Sequence, residues 1–158
     1  MSGYTKRPSE LRDVDMMSAI ERVCFTVPWS RESIEQTVKS DAAYCVSVLC
    51  GDDVVGYGFS VTVADESEIL NLAVSPEHRR HGIGRLILDE MLKGAASSGA
   101  KTAYLEVRES NKAASALYES EGFTVVGRRK NYYKLPTEDA VIMAKALVGG
   151  ADNDNSRN

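Results

Sequence analysis

ESEILNLAVSPEHRRHGIGRLILDE, residues Glu66–Glu90, is the stretch whose reading decides the fold. Its first part, Ile69-Leu70-Asn71-Leu72-Ala73-Val74, is an apolar run of strand length, suited to a strand covered on both faces. Ser75-Pro76 stops the run, because proline lacks the amide hydrogen that a ladder needs. Arg79-Arg80-His81-Gly82-Ile83-Gly84-Arg85 follows and leads into a helix. Ile83, Ile87, Leu88, Met91, Leu92 and Ala95 recur there at the spacing of one helical face, with Arg85, Asp89, Glu90 and Lys93 on the other. Strand, basic glycine-bearing turn and helix together read as an anion site.

The first amides of a helix have no intrahelical acceptor and lie at the positive end of its dipole. Glycines at 82 and 84 clear side chains from the path of a phosphate and permit positive φ. Arginines 79, 80 and 85 add charge-assisted donors suited to phosphate oxygens. The plainer alternative is a solvated basic turn with glycines for tight packing. Neither G-x-x-x-x-G-K-[ST] nor the three-glycine dinucleotide fingerprint is present.

Working outward, 158 residues suit one domain with a real core, here 1–148, and the tail GGADNDNSRN from Gly149 is expected to be disordered. The 43% apolar and 27% charged content is that of an ordinary soluble globular protein. No apolar run reaches the ~18 residues of a membrane span, and the polar N-terminal segment does not read as a signal peptide. A net charge of −4 argues against nucleic acid as a direct partner. Cys24, Cys45 and Cys50 are odd in number without a C-x-x-C, and read as reduced, mostly buried side chains of a cytoplasmic protein. His78 and His81 share a helical spacing, but flanking arginines would repel a cation, so no metal is expected.

In order, Tyr4–Lys6 reads as a first strand. A helix opens at Asp13 with Met16, Met17, Ile20, Val23 and Cys24 inward, and a second, capped by Ser30 or Ser33, runs to about Lys39. Between them, Pro28-Trp29 is either a packing anchor or the wall of a substrate groove. Tyr44–Cys50 and Val54–Val63 form a hairpin around Gly51-Asp52-Asp53. After the helix of the quoted stretch, Thr102–Val107 is a strand that a right-handed crossover sets parallel to residues 69–74. Ser110-Asn111 caps a helix over about 112–121, and strands over 123–129 and 140–146 flank a loop over 131–136.

Two further residues draw attention. Glu106 lies in an apolar strand, where a carboxylate needs a partner or a task; the plain alternative is an exposed residue or an ion pair with Arg108. Tyr118 follows Ala116-Leu117 on the last helix, where core packing is the plain alternative. A base, a phenolic acid and a phosphate cradle suit group transfer from a phosphate-bearing carrier.

At this point the chain resembles a known family. Arg79-Arg80-His81-Gly82-Ile83-Gly84, read as [QR]-x-x-G-x-[GA] after an apolar strand, is similar to the acyl-CoA signature of the GNAT acetyltransferase superfamily. Leu105-Glu106-Val107-Arg108-x-x-Asn111 and Ala116-Leu117-Tyr118-Glu119-x-x-Gly122-Phe123 resemble its later segments in N-terminal protein acetyltransferases. Phe25-x-x-Pro28-Trp29-Ser30, Arg129-x-Asn131-Tyr132-Tyr133 and Glu138-Asp139-Ala140-x-Ile142-Met143 fit the RimI type, which acetylates the N-terminal alanine of a small-subunit ribosomal protein.

The resemblance implies an α+β fold: a mixed, mostly antiparallel, twisted seven-stranded sheet, its central parallel pair splayed into a V, flanked by about four helices. It implies acetyl-CoA as co-substrate, no metal, and the N-terminal peptide of a protein as acceptor, with the enzyme a monomer or weak dimer. Leu72, Ala73 and Val74 would bond the pantetheine arm, residues Arg79, Arg80, His81, Gly82, Ile83, Gly84 and Arg85 the pyrophosphate, and Asn111 the carrier near the pantetheine. Glu106 would be general base and Tyr118, touching the carrier, general acid, while Pro28, Trp29 and Tyr132 would line the acceptor. An N-terminal acetyltransferase of broader specificity, a small-amine acetyltransferase and an acyl-CoA-binding sensor without catalysis are the competing readings; the sensor needs neither Glu106 nor Tyr118.

Overall fold

The computed structural model describes residues 3–147. Strands are β1 Tyr4–Pro8, β2 Ala43–Cys50, β3 Asp53–Val63, β4 Glu66–Val74, β5 Thr102–Arg108, β6 Thr124–Tyr133 and β7 Glu138–Ala146. Helices are α1 Val14–Cys24, α2 Arg31–Lys39, α3 Ile83–Ser97 and α4 Lys112–Ser120. The seven strands form one sheet in the order β1-β2-β3-β4-β5-β7-β6, with antiparallel pairing in β1–β2, β2–β3, β5–β7 and β6–β7. The expected α+β architecture of seven strands and four helices is therefore found.

Two compact units make up the chain. One runs through Val61 and takes in Ile69–Met91; the other combines Thr62–Glu68 with the described residues from Leu92 onward. The chain crosses between them inside β3 after Val61, inside β4 after Glu68 and inside α3 after Met91.

In the first unit, Val14, Met17 and Ile20 of α1 and Ile34 of α2 cluster with Cys45, Leu49, Val54, Tyr57, Phe59 and Ala73 of the sheet. Helix α3 lies against β3 where β3 has glycines. A Cβ on Gly58 would meet Met91 Sδ at 2.2 Å and Ile87 Cγ2 at 2.6 Å; one on Gly56 would meet Ile83 Cγ2 and Ile87 Cδ1, both at 3.0 Å. Ile83, Ile87, Leu88, Met91 and Ala95 are all buried, as their spacing predicts. In the second unit, buried Leu105 and Val107 of β5 sit opposite buried Met143 and Val141 of β7.

Four expectations need correction. Strand β1 extends to Pro8, which an edge strand tolerates because one side of its ladder is unused. Val23 is 68% exposed: nine residues after Val14, it lies on the opposite side of the helix from Val14 and outside the Val14–Met17–Glu21 and Met17–Ile20–Cys24 rows. Strand β6 runs on through Tyr133, a segment read as loop; a register irregularity between Arg129 and Tyr133 and a φ of 53° at Asn131 carry it past a sequence without clean alternation. Finally, β4 is fully buried only in part, with Ile69 and Ala73 buried while Leu70, Asn71, Leu72 and Val74 are half-buried. The expected disordered tail lies outside the described residues.

Candidate active site

Beyond β4, Ser75 N–H donates to Val55 O at 2.8 Å, and Pro76–His78 form a short 3-10 turn. Arg80, with φ 68°, and Gly82, with φ 78°, then turn the backbone into α3. Gly82 thus needs its glycine, whereas Gly84 lies in the first turn of α3 and its lack of a side chain opens the helix end instead. Leu86 N–H makes a helical bond to Gly82 O at 3.0 Å, so the amides of residues 83–85 belong to the donor-bearing first turn. Arg80, His81, Gly82 and Arg85 are exposed around it. Backbone shape and donor set both fit a diphosphate.

Arg79 points elsewhere. Its Nε donates to Val74 O at 3.2 Å and an Nη to Cys24 Sγ at 3.3 Å, so the guanidinium braces the end of β4. The histidines turn toward β1: Tyr4 Oη and His78 Nδ1 are 2.9 Å apart, and the His81 ring lies 5.9 Å from the Tyr4 ring. Of the cysteines, none is in a disulfide; Cys45 is buried, which pushes its thiol up to about 12, and Cys24 and Cys50 are half-buried.

Leu72 of β4 donates its amide to Asn71 Oδ1 at 3.1 Å. Asn71 Nδ2 in turn donates to Glu21 Oε1 at 2.7 Å. Tyr57 Oη donates to the same oxygen, and the Trp29 backbone N–H donates to Glu21 Oε2 at 3.0 Å. Only 1% exposed, Glu21 escaped the sequence reading. The signal was available: residues 14, 17 and 21 follow helical spacing, which puts a carboxylate on the core-facing row. Burial first, then this carboxylate, pushes the Tyr57 phenol far up. Trp29 packs on Phe59, with ring centroids 5.6 Å apart, and Pro28 beside it is exposed.

In the second unit, Glu106 pairs with Arg129 rather than with Arg108. The strand order explains it. Glu106 of β5 stands opposite Ile142 of β7 and Arg129 of β6 opposite Ala140, two residues along the same face, so the long Arg129 side chain reaches Glu106 diagonally across β7. Arg108 is occupied by Glu138 at 3.0 Å and by the carbonyls of Lys134 at 2.6 Å and Pro136 at 3.0 Å, with its guanidinium 4.6 Å from the Tyr133 ring centroid. The Glu106 carboxylate, 17% exposed, also raises the Tyr132 phenol through its charge, with burial adding to the effect. Arg129 stands 5.7 Å over the Tyr132 ring. Glu106, Arg129 and Tyr132 therefore form one cluster.

Asn111 caps α4 as its sequence predicts: Oδ1 accepts from Ala114 N–H at 3.1 Å, leaving the amide NH2 for another partner. Tyr118, on the same helix, is 8% exposed and meets Phe123 edge-on at 5.8 Å. Burial pushes its phenol up to about 12, so it stays protonated at neutral pH. A protonated phenol can give a proton and a carboxylate can take one.

The sequence and the fold match a known class. Residues 14–123 fit the model of the acetyltransferase (GNAT) family, and the chain belongs to that family. It is an N-acetyltransferase by membership. The chain is similar to the [ribosomal protein bS18]-alanine N-acetyltransferase of Salmonella typhimurium strain LT2, at 36% identity over 86% of this chain and 94% of the relative. The Escherichia coli K12 protein of the same name is 35% identical over 86% of this chain and 94% of its own length. Among solved structures, the ribosomal-protein-S18-alanine N-acetyltransferase from Escherichia coli superposes with a TM-score of 0.85 at 32% identity, covering 91% and 94% of the two chains. Ard1 from Thermoplasma volcanium, at 23% identity and a TM-score of 0.86, shares the fold.

Proposed function

We propose that the protein is an acetyl-CoA-dependent N-terminal α-amino acetyltransferase acting on the N-terminal alanine of a small-subunit ribosomal protein, in the cytoplasm. The observation that carries this reading is the likeness, over 94% of the relative's length, to an enzyme named for that alanine. The partly exposed Glu106 and the buried, protonated Tyr118 add the two proton-handling groups that the reaction needs.

Acetyl-CoA would be held by the backbone of Leu72, Ala73 and Val74, by the amides of Arg80 through Arg85, and by Asn111. It supplies an acetyl group as a thioester. The acceptor is an α-amine, with an ordinary pKa near ~7.7–8.0, so only a modest base is needed to deprotonate it. Glu106 takes that proton, through a water. The amine nitrogen bonds the acetyl carbon, the carbon–sulfur bond breaks, and Tyr118 gives its proton to the departing thiolate. A strand amide, that of Val74, serves the oxyanion that develops in between. Pro28, Trp29 and Tyr132 would line the acceptor and favour a chain terminus over a lysine side chain.

Glu106→Gln is expected to lower turnover on an N-terminal peptide at least ~10²-fold while acetyl-CoA still binds, the scale of a lost general base. Wild-type rates in that variant would remove the base. Tyr118→Phe is expected to slow single turnover, and an unchanged single-turnover rate would remove the acid.

A further inference from the structure

Among the described residues of the first unit two carboxylates are buried, Asp13 and Glu21, and it is Glu21 that joins the sheet to the loop between α1 and α2. Glu21 is 1% exposed, and burying a carboxylate is costly unless donors replace its water. Here three do. Two of them, Tyr57 Oη and Asn71 Nδ2, come from sheet strands β3 and β4 and converge on Oε1. The third, reaching Oε2 at 3.0 Å, is a backbone amide of the loop between α1 and α2, that of Trp29. Trp29 immediately precedes Ser30, whose hydroxyl caps α2 by accepting from Ser33 N–H at 3.1 Å. Helix α1 ends at Cys24, so one side chain from its last turn fixes where the following loop ends and the next helix begins.

From this geometry we infer that Glu21 is a positioning residue for acceptor choice: it fastens the Pro28–Trp29 segment to Asn71, the residue before Leu72–Val74, and so sets the entry that the acceptor's first residues meet. The inference rests on the functional reading above, in which Pro28 and Trp29 line the acceptor. A carboxylate offers only acceptors, matching three donors on two oxygens. Glutamine is nearly the same shape but must point an NH2 group at one side. With two donors on Oε1, its oxygen stays there and the NH2 faces the Trp29 N–H, so the loop is the contact that fails.

Trp29 is the only tryptophan in the chain, so its fluorescence reports this loop directly. The experiment compares wild type, Glu21→Gln and Tyr57→Phe by circular dichroism, acrylamide quenching of Trp29, and KM for acetyl-CoA and for an Ala-initiated peptide. Glu21→Gln is expected to stay folded, to show at least twofold stronger quenching, and to raise the peptide KM about tenfold, the scale of a lost hydrogen bond to a charged group. The acetyl-CoA KM should move less than about twofold, because the lost contact is on the loop side. Tyr57→Phe removes a donor to the same carboxylate without touching the loop and is expected to leave quenching and peptide KM near wild type. Unchanged quenching in folded Glu21→Gln, equal loosening in Tyr57→Phe, or a loosened Trp29 with unchanged peptide KM each overturns the inference. Should Glu21→Gln not fold, Glu21→Asp, one methylene shorter, is read by the same criteria. Failure of the underlying function shows separately, as wild type that transfers acetyl to no peptide.

Discussion

Glu106 sits in a strand of alternating burial, yet its partner lies two strands away in the sheet, on β6. That a carboxylate there had work to do was legible from its apolar neighbours; that its partner was Arg129 was not, because only the order β5-β7-β6 brings the two together. Arg129 is 56% exposed, and exposed pairs are weak and screened by salt. In the proposed reaction an incoming α-ammonium would be a second cation near Glu106, and the guanidinium would compete with it mildly. Arg129→Gln is expected to lower the peptide KM by roughly twofold to fivefold with kcat retained, a range set by the weakness of exposed pairs. A steady-state titration with peptide checks it; a raised KM would mean that Arg129 helps to hold the acceptor. Tyr118 was legible as unusual in the same way, while Glu21 hid because one charge among apolar residues at the end of a helix is easily read as surface.

Secondary structure was legible wherever a pattern had a physical cause nearby. The α3 face, the Asn111 and Ser30 caps and the Gly82 turn all follow from residues within a few positions. What escaped were features set at long range. Gly56 and Gly58, which no local pattern singles out, are where α3 comes within contact of β3. Gly58→Ala is therefore expected to overpack the Ile87–Met91 face and cost about 1–3 kcal/mol, seen as a lower Tm. An unchanged Tm would mean that α3 shifts freely. Asn111→Ala should cost about 1 kcal/mol through the lost cap, measured by urea unfolding.

Across the whole molecule, acid sensitivity has an identifiable source. Asp13 is 1% exposed and accepts from Arg7 at 2.7 and 2.9 Å, from Glu10 N–H at 2.8 Å and from Ser47 Oγ at 3.3 Å. Burial alone would raise its carboxyl, but the Arg7 and backbone hydrogen bonds outweigh that and hold it below its ordinary value. A carboxyl lower in the folded than in the unfolded state stabilises fully above the unfolded value of 3.8, and that stability is lost as pH falls through the lower, folded value. Wild type should accordingly be more stable than Asp13→Asn at pH 7, with the difference shrinking below pH ~4. Urea unfolding at several pH values checks this, and a gap that stays constant with pH would assign the effect to packing.

None of the described helices is long and apolar enough to cross a membrane. The fold and its family were legible because their signature lies in one contiguous stretch, from Glu66 to Glu90. The proposed acceptor residues are not written that way, since Pro28, Trp29 and Tyr132 are far apart in the chain.

The most direct measurement is mass spectrometry of acetyl transfer from acetyl-CoA to peptides that differ in their first residues and carry one internal lysine. The account predicts acetyl on the α-amine, a preference for an initial alanine, and loss of both with Glu106→Gln. Acetyl on the lysine, or transfer indifferent to the first residue and to Glu106, would contradict it.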